Sequence, residues 1–175
     1  MIKNYIPTIN ISSLRNNFNS VTSFNTIKKI EKACVEVGFF QITGHGINQK
    51  DINNISKIGN KFFNSSNKIK MKLAPKKWNK KNKNIYRGYF PNDVNGKEGL
   101  DIGDPLVNKQ YASRLKNQYI EYLKLQKAMD KNSIKILKNY FDEIFMLGEI
   151  LFKSIIMLYK KDVSSSKLVF SRLKT

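Results

Sequence analysis

The chain has 175 residues, 41% of them hydrophobic, which is enough for one domain with a real core and too apolar for a chain disordered throughout. With 32 Lys+Arg against 13 Asp+Glu the formal charge is +19, which raises a nucleic-acid partner, yet the lysines are spread along the chain among asparagines and isoleucines. A single cysteine excludes an intramolecular disulfide, and no charged-then-apolar secretory segment opens the chain, so the expected setting is the reducing cytoplasm.

The first element is Ile6-Pro7-Thr8-Ile9-Asn10-Ile11, where apolar and polar residues alternate and Pro7 stands at the strand start, predicting an edge strand. Ser12 to Thr22 reads as a loop or a short helical turn. Ile27, Ile30, Cys34 and Val37 then recur at helical spacing, with Ser23 or Asn25 as the expected cap and Gly38 in the left-handed position past the end. Cys34 is expected to be a small buried hydrophobe on this helix rather than a reactive thiol. Phe39–Thr43 predicts a short buried strand, closed by Gly44-His45-Gly46, whose glycines allow the positive φ of a tight turn. Asn48, three before Asp51, is placed to cap the next helix. Ile52, Ile55, Ile58 and Phe62 predict that helix from about Gln49 to Phe63.

Lys68-Ile69-Lys70-Met71-Lys72-Leu73 alternates strictly, the period of a strand, while Ser65 or Ser66 can cap a short helix there and Pro75 can end it. Lys76-Lys77-Trp78-Asn79-Lys80-Lys81-Asn82-Lys83-Asn84 is the densest charge run and holds the only tryptophan. It reads either as a phosphate-tracking loop with an aromatic for base stacking or as a solvated loop whose tryptophan packs back on the body, and the second is favoured. Tyr86 to Pro91 predicts a strand, 92–96 a turn, and the stretch to Pro105 a returning extended segment with Glu98, Asp101 and Asp104. Tyr111, Leu115, Tyr119, Tyr122 and Leu125 mark one helix. Ile134, Leu137, Phe141, Ile144, Phe145, Leu151, Ile155 and Leu158 mark a longer one, interrupted by Glu149 and Lys153 and so unsuited to spanning a membrane. It reads as a helix that backs a sheet. Residues 164–175 begin a β-like segment.

Four of these motifs in order, the first strand, Ala33-Cys34 through Gly46-Ile47, Tyr86-Arg87-Gly88-Tyr89-Phe90-Pro91, and Lys97-Glu98-Gly99-Leu100-Asp101-Ile102-Gly103-Asp104-Pro105, resemble the N-terminal region of the non-haem iron, 2-oxoglutarate-dependent oxygenases related to isopenicillin N synthase. The resemblance covers roughly the first hundred residues. It implies an α+β fold, mainly helical in this chain, forming the N-terminal lobe of a double-stranded β-helix (jelly-roll) oxygenase with the barrel largely missing. It favours the helix reading of Lys68–Leu73. The expected organisation is an N-terminal dioxygenase domain over 1–105, a helical connection with the long backing helix over 106–160, and the start of a truncated jelly-roll over 161–175. A basic helix around Tyr111 to Lys127 departs from many relatives.

The family implies Fe(II) and 2-oxoglutarate as cofactors of the full-length enzyme, the iron held by two histidines and one carboxylate with open positions beside them. This chain has one histidine, and no His-Xaa-Asp and no Arg-Xaa-Ser to grip 2-oxoglutarate. No catalytic, cofactor or metal residue is therefore assigned within it, and it is expected inactive alone. His45 reads as a hydrogen-bonded turn residue. In relatives the Arg-Gly-Tyr strand lies over the mouth of the barrel, which makes Arg87 and Tyr89 the candidate substrate-binding residues: Arg87 to clamp a carboxylate, Tyr89 to add a directional hydrogen bond. Arg87 equally suits an ion pair with Glu98 or Asp101 across the neighbouring extended segment. Glu98, Asp101 and Asp104 read as loop-fixing acceptors. The expected function is the N-terminal portion of a dioxygenase acting on a small molecule, either a cut-off gene product or one half of a split enzyme docking a separately encoded barrel. The competing function is a basic nucleic-acid module using Lys76–Lys83.

Overall fold

The computed structural model describes residues 6–92, 96–103 and 123–158, which divide into two compact units, one of residues up to Ile47 and from Glu143, the other Asn48–Asp142. Among the described residues no helix is long and apolar enough to cross a membrane.

In the first unit, strand β1 (Thr8–Asn10) pairs in parallel with β2 (Gln41–Thr43), Ile9 opposite Ile42. A parallel pair needs a crossover, supplied by helices α1 (Ser12–Asn16) and α2 (Val21–Glu36). Strand and crossover together bury Ile9, Ile11, Leu14, Ile27, Ile30 and Ala33 in one cluster. Leu147, Ile150 and Leu151 of the long C-terminal helix pack on the same cluster, so this helix backs the β pair. The cap of α2 is Ser20, whose hydroxyl accepts from the Ser23 amide at 3.1 Å, and not Ser23 or Asn25. Ser23 sits inside the first turn, buried, donating its hydroxyl to the Asn17 carbonyl at 2.6 Å. The helix starts earlier than its apolar residues show because its first buried positions are small and polar.

Two further expectations change. Cys34 is exposed. The buried face of α2 runs Ser23, Thr26, Ile27, Ile30, Ala33, so the final position on that face falls to alanine and the thiol turns outward. The segment after Gly38 is not a buried strand: Phe39 is 57% exposed, and only Phe40 and Ile42 lean on the core. Among the described residues only one face of this strand pair is covered, so alternate residues meet water. Gly38 does stand at φ +87° past the helix, its amide and that of Val37 both reaching the Ala33 carbonyl at 3.0 Å.

In the second unit, α3 (Gln49–Phe63) has the predicted bounds and is capped by Asn48, which accepts from the Lys50 amide at 2.8 Å. The alternating lysine segment is helical, α4 (Asn67–Lys70) running into a 3-10 turn (Met71–Leu73), after which Ala74 becomes extended before Pro75. Ser66 caps it through its carbonyl, with amides of Ile69 and Lys70 donating, and not through its side chain. Strands β3 (Gly88–Phe90) and β4 (Gly99–Asp101) form an antiparallel pair, Tyr89 opposite Leu100. Phe62, Leu73, Ala74, Tyr89, Leu123 and Leu125 are the core, with the Phe62 and Tyr89 rings edge to face at 5.9 Å.

A 3-10 turn (Leu125–Lys127) precedes the long helix α5 (Lys131–Leu158). Asp130 fixes the start of α5, accepting from the Ser133 amide at 2.8 Å and hydroxyl at 2.9 Å and from Lys61 at 3.0 Å. The Ser133 amide above all, with the Lys61 ammonium, holds this carboxyl well below the usual carboxylate range. The predicted basic helix from Tyr111 lies outside the described residues up to 122, as do Asp104 and the β-like segment 164–175; its last residues form the 3-10 turn.

Candidate functional site

The second unit brings Arg87 and Tyr89 onto one short strand and surrounds them with the acidic residues of the next. Because Gly88 pairs with Asp101 in the ladder, Arg87 lies beside that residue, and its Nη1 donates to Asp101 Oδ1 at 2.8 Å. Both side chains stay open to water, 41% and 52% exposed, so the pair orients the guanidinium with little net stabilisation. Asp101 Oδ1 also accepts from the Gly103 amide at 3.2 Å, fixing the chain beyond the strand.

Tyr89 is buried, and its hydroxyl donates to Glu98 Oε2 at 2.7 Å. The same oxygen takes a 2.7 Å hydrogen bond from Lys70, whose ammonium also donates to the Phe63 carbonyl at 3.1 Å and lies 5.3 Å from the centre of the Tyr89 ring. Lys70 is thus the lysine of the alternating segment that turns inward. Its hydrogen bond lowers the Glu98 pKa, with the Tyr89 hydroxyl adding to the effect. That same bond to Glu98 raises Lys70, whereas burial is the main cause that raises Tyr89. The Glu98 contribution is present above the ordinary carboxylate range and is lost as pH falls through its lowered pKa. The Lys70 and Tyr89 contributions are present below their ordinary values and are lost as pH rises through the raised ones.

The lysine-rich loop beside this hairpin is pinned by its asparagines. Asn82, buried, donates to the Lys72 and Ala74 carbonyls at 3.0 and 2.7 Å and accepts from Lys127 at 2.9 Å. Asn79 donates to the Met71 carbonyl at 2.9 Å, and Asn84 to the carbonyls of Leu73 and Arg87. Trp78 packs edge-on against Phe90 at 5.6 Å with the Lys77 ammonium 4.4 Å from its ring centre. The tryptophan therefore packs back on the body, as the favoured reading had it, while Lys76, Lys77, Lys80, Lys81 and Lys83 face outward.

In the first unit, Gly44 and Gly46 hold φ of +66° and +74° on either side of His45. His45 Nδ1 accepts from the Ile47 amide at 3.1 Å, the role of a turn residue. Arg15 of α1 lies flat against Gly46, where a Cβ would overlap its guanidinium.

A two-histidine, one-carboxylate iron site does not fit these residues. The chain carries one imidazole, one of whose nitrogens is engaged with its own turn. Among the described residues no group of three His, Cys, Asp or Glu stands close enough to hold a metal.

The fold is that of part of a plant dioxygenase. Dioxygenase for auxin oxidation 1 from Arabidopsis thaliana, solved as a 2-oxoglutarate binary complex, superposes with a TM-score of 0.64 at 18% identity, over 89% of this chain and 50% of that one. The rice dioxygenase for auxin oxidation gives 0.59 at 16% identity, over 87% and 45%. The family model described as non-haem dioxygenase in morphine synthesis N-terminal matches residues 6–133, and the chain belongs to that family of N-terminal dioxygenase domains. The four ordered motifs of the sequence are thereby borne out. Among curated relatives, a probable iron/ascorbate oxidoreductase from Dictyostelium discoideum is 38% identical over 115 residues, 58% of this chain and 29% of the relative. A 1-aminocyclopropane-1-carboxylate oxidase from the same organism is 42% identical over 77 residues, 42% of this chain and 20% of the relative. The chain thus matches less than a third of the length of these relatives.

Arg87, Tyr89, Glu98 and Asp101 were legible as candidates in the sequence. Lys70, Asn82 and Asn84 were not: each stands in a run of lysines and asparagines whose composition does not say which member turns inward.

Proposed function

We propose that the chain is the N-terminal portion of a 2-oxoglutarate/Fe(II)-dependent oxidoreductase and does not turn over by itself. The observation that carries this is the family match over residues 6–133 in a chain with a single histidine. Its part is to build and hold the Arg87–Tyr89 strand. Arg87, kept in place by Asp101 and still exposed, would offer a planar two-point donor to the carboxylate of a small-molecule substrate. Tyr89, with Lys70 and Glu98 behind it, would set the position of that strand. The iron and 2-oxoglutarate belong, on this reading, to residues outside the chain. The purified 175-residue chain with Fe(II), ascorbate and 2-oxoglutarate is expected to form no succinate above the protein-free control. Turnover would refute the proposal.

A split enzyme, with the barrel encoded separately, is the second reading. Co-expression with the adjacent reading frame is expected to restore Fe(II) binding if that frame supplies a His-Xaa-Asp.

A further inference from the structure

The second unit carries a surface that the dioxygenase reading does not use. Between Asp51 and Asp93 the chain has no acidic residue, yet it holds ten lysines and Arg87. Three of these cations are met by acids from beyond the stretch: Lys61 by Asp130, Lys70 by Glu98 and Arg87 by Asp101. Apart from Lys70, the lysines from Lys68 to Lys83 are exposed, and none of them is in an ion pair among the described residues. Sequence separates them into two runs, 68–72 and 76–83, and the structure joins the runs. The Asn79 side chain donates to the Met71 carbonyl, and Asn82 to those of Lys72 and Ala74, so the backbone that carries Lys72 lies against the backbone that carries Lys80, Lys81 and Lys83. The Lys76 amide donates to the Asn84 carbonyl at 2.7 Å and closes the loop. Lys127 adds its ammonium, 2.9 Å from Asn82 Oδ1. Like charges gathered in this way repel one another, and the neutral Asn82 and Asn84, buried and bonded to backbone, hold them together.

An array of cations on a fixed frame matches a polyanion, whose binding releases counterions and relieves that repulsion. The neighbouring aromatic points to its kind. Trp78 lies edge-on against Phe90 with Lys77 over its ring, whereas Tyr86, three residues past Lys83, is 58% exposed. An exposed ring offers stacking to a base that is already unstacked, and none to a lipid phosphate or to a base paired in a duplex. We propose that this surface binds single-stranded nucleic acid, with Lys72, Lys76, Lys80, Lys81 and Lys83 along the phosphates and Tyr86 under a base. Trp78 has a structural part in this, since its packing on Phe90 anchors the loop from which the lysines project.

Fluorescein-labelled oligodeoxythymidine of about 20 nucleotides, titrated with the 175-residue chain and followed by anisotropy, is expected to bind saturably and more weakly as salt rises. Lys72→Gln, Lys81→Gln and Lys83→Gln together should weaken binding about tenfold or more. They should also reduce the slope of log K against log salt by about 2, at about 0.7 per phosphate contact. Lys29→Gln, Lys50→Gln and Lys135→Gln, which remove the same charge from exposed lysines elsewhere in the chain, should leave both nearly unchanged. Tyr86→Leu should weaken the oligonucleotide about fivefold or more. It should not affect an abasic phosphodiester strand of equal length, which the wild-type chain should already bind more weakly. The thermal transition of Trp78 fluorescence identifies the variants that fold. If one does not, the salt slope and the two strands on the wild-type chain still decide. Lack of saturable binding, equal losses from the two lysine triples, or equal affinity for the two strands would each overturn the proposal. Binding of phosphatidylserine vesicles without binding of the oligonucleotide would do the same.

Discussion

Two glycine-marked sites, one in each unit, differ in what surrounds the glycine. At Gly46 the neighbour that a Cβ would meet is the far end of the Arg15 side chain, which has rotamers to move into. At Gly88, with φ +121°, the neighbours are the backbone carbonyl of Leu73 and, at 2.8 Å, the amide of Asn84, itself fixed by hydrogen bonds to the carbonyls of Leu73 and Arg87. The first glycine is required by the conformation of a turn, the second by two pieces of backbone that approach each other. Local geometry therefore tolerates repair at Gly46, while nothing near Gly88 can yield without undoing the unit.

The largest effect should follow Gly88→Ala, which combines an unfavourable φ with overlap on a backbone carbonyl and is expected to cost about 3 kcal/mol or more. Unfolding followed by the fluorescence of Trp78, which lies in the same unit, should shift by about 10 °C. A shift no larger than that of Gly46→Ala would remove the distinction between the two sites. Asn82→Ala comes next, at about 2 kcal/mol, because it leaves the buried Ala74 carbonyl, and that of Lys72 beside it, without their donor. The same Trp78 transition checks it, and a neutral result would mean that the loop is not held by its asparagines. Gly46→Ala should be the mildest, about 1.5 kcal/mol for a left-handed residue with a Cβ, and should appear as changed His45 resonances more than as lost stability.

The difference between the two sites is also a difference in what could be read from the sequence. Gly44-His45-Gly46 is legible because its requirements are local: two positive φ values, a histidine that bonds two residues ahead, and an asparagine cap beside it. The Gln49–Phe63 helix and the return of the chain through Gly99–Asp101 were legible for the same reason, as periodicity and turn residues act over a few positions. Cys34 misled because helical spacing marks a face without saying where the neighbouring element stops covering it, and Phe39 because an apolar run does not say which of its residues meet the core. Ser20 was missed as the cap because the positions it leads into, Ser23 and Thr26, are polar groups buried by bonding to backbone, which carry no hydrophobic signal.

For the candidate site, sequence placed Arg87 and Tyr89 on one strand with Glu98 and Asp101 nearby, and it named the family through the order of four motifs. Fold class follows from such patterns because each is a statement about adjacent residues. Which acid meets which base does not: Arg87 with Asp101 and Tyr89 with Glu98 were decided by the register of β3 on β4, and the choice of Lys70 among its neighbouring lysines by the packing of α4 on that hairpin. Likewise Arg15, His45 and Glu143, far apart in the chain, share a cavity only because the crossover helix and the long helix fold onto the same core. Sequence by itself determined the elements and their family; tertiary structure alone decided the pairings, since a contact between distant residues is fixed by the packing of whole elements and leaves no local trace.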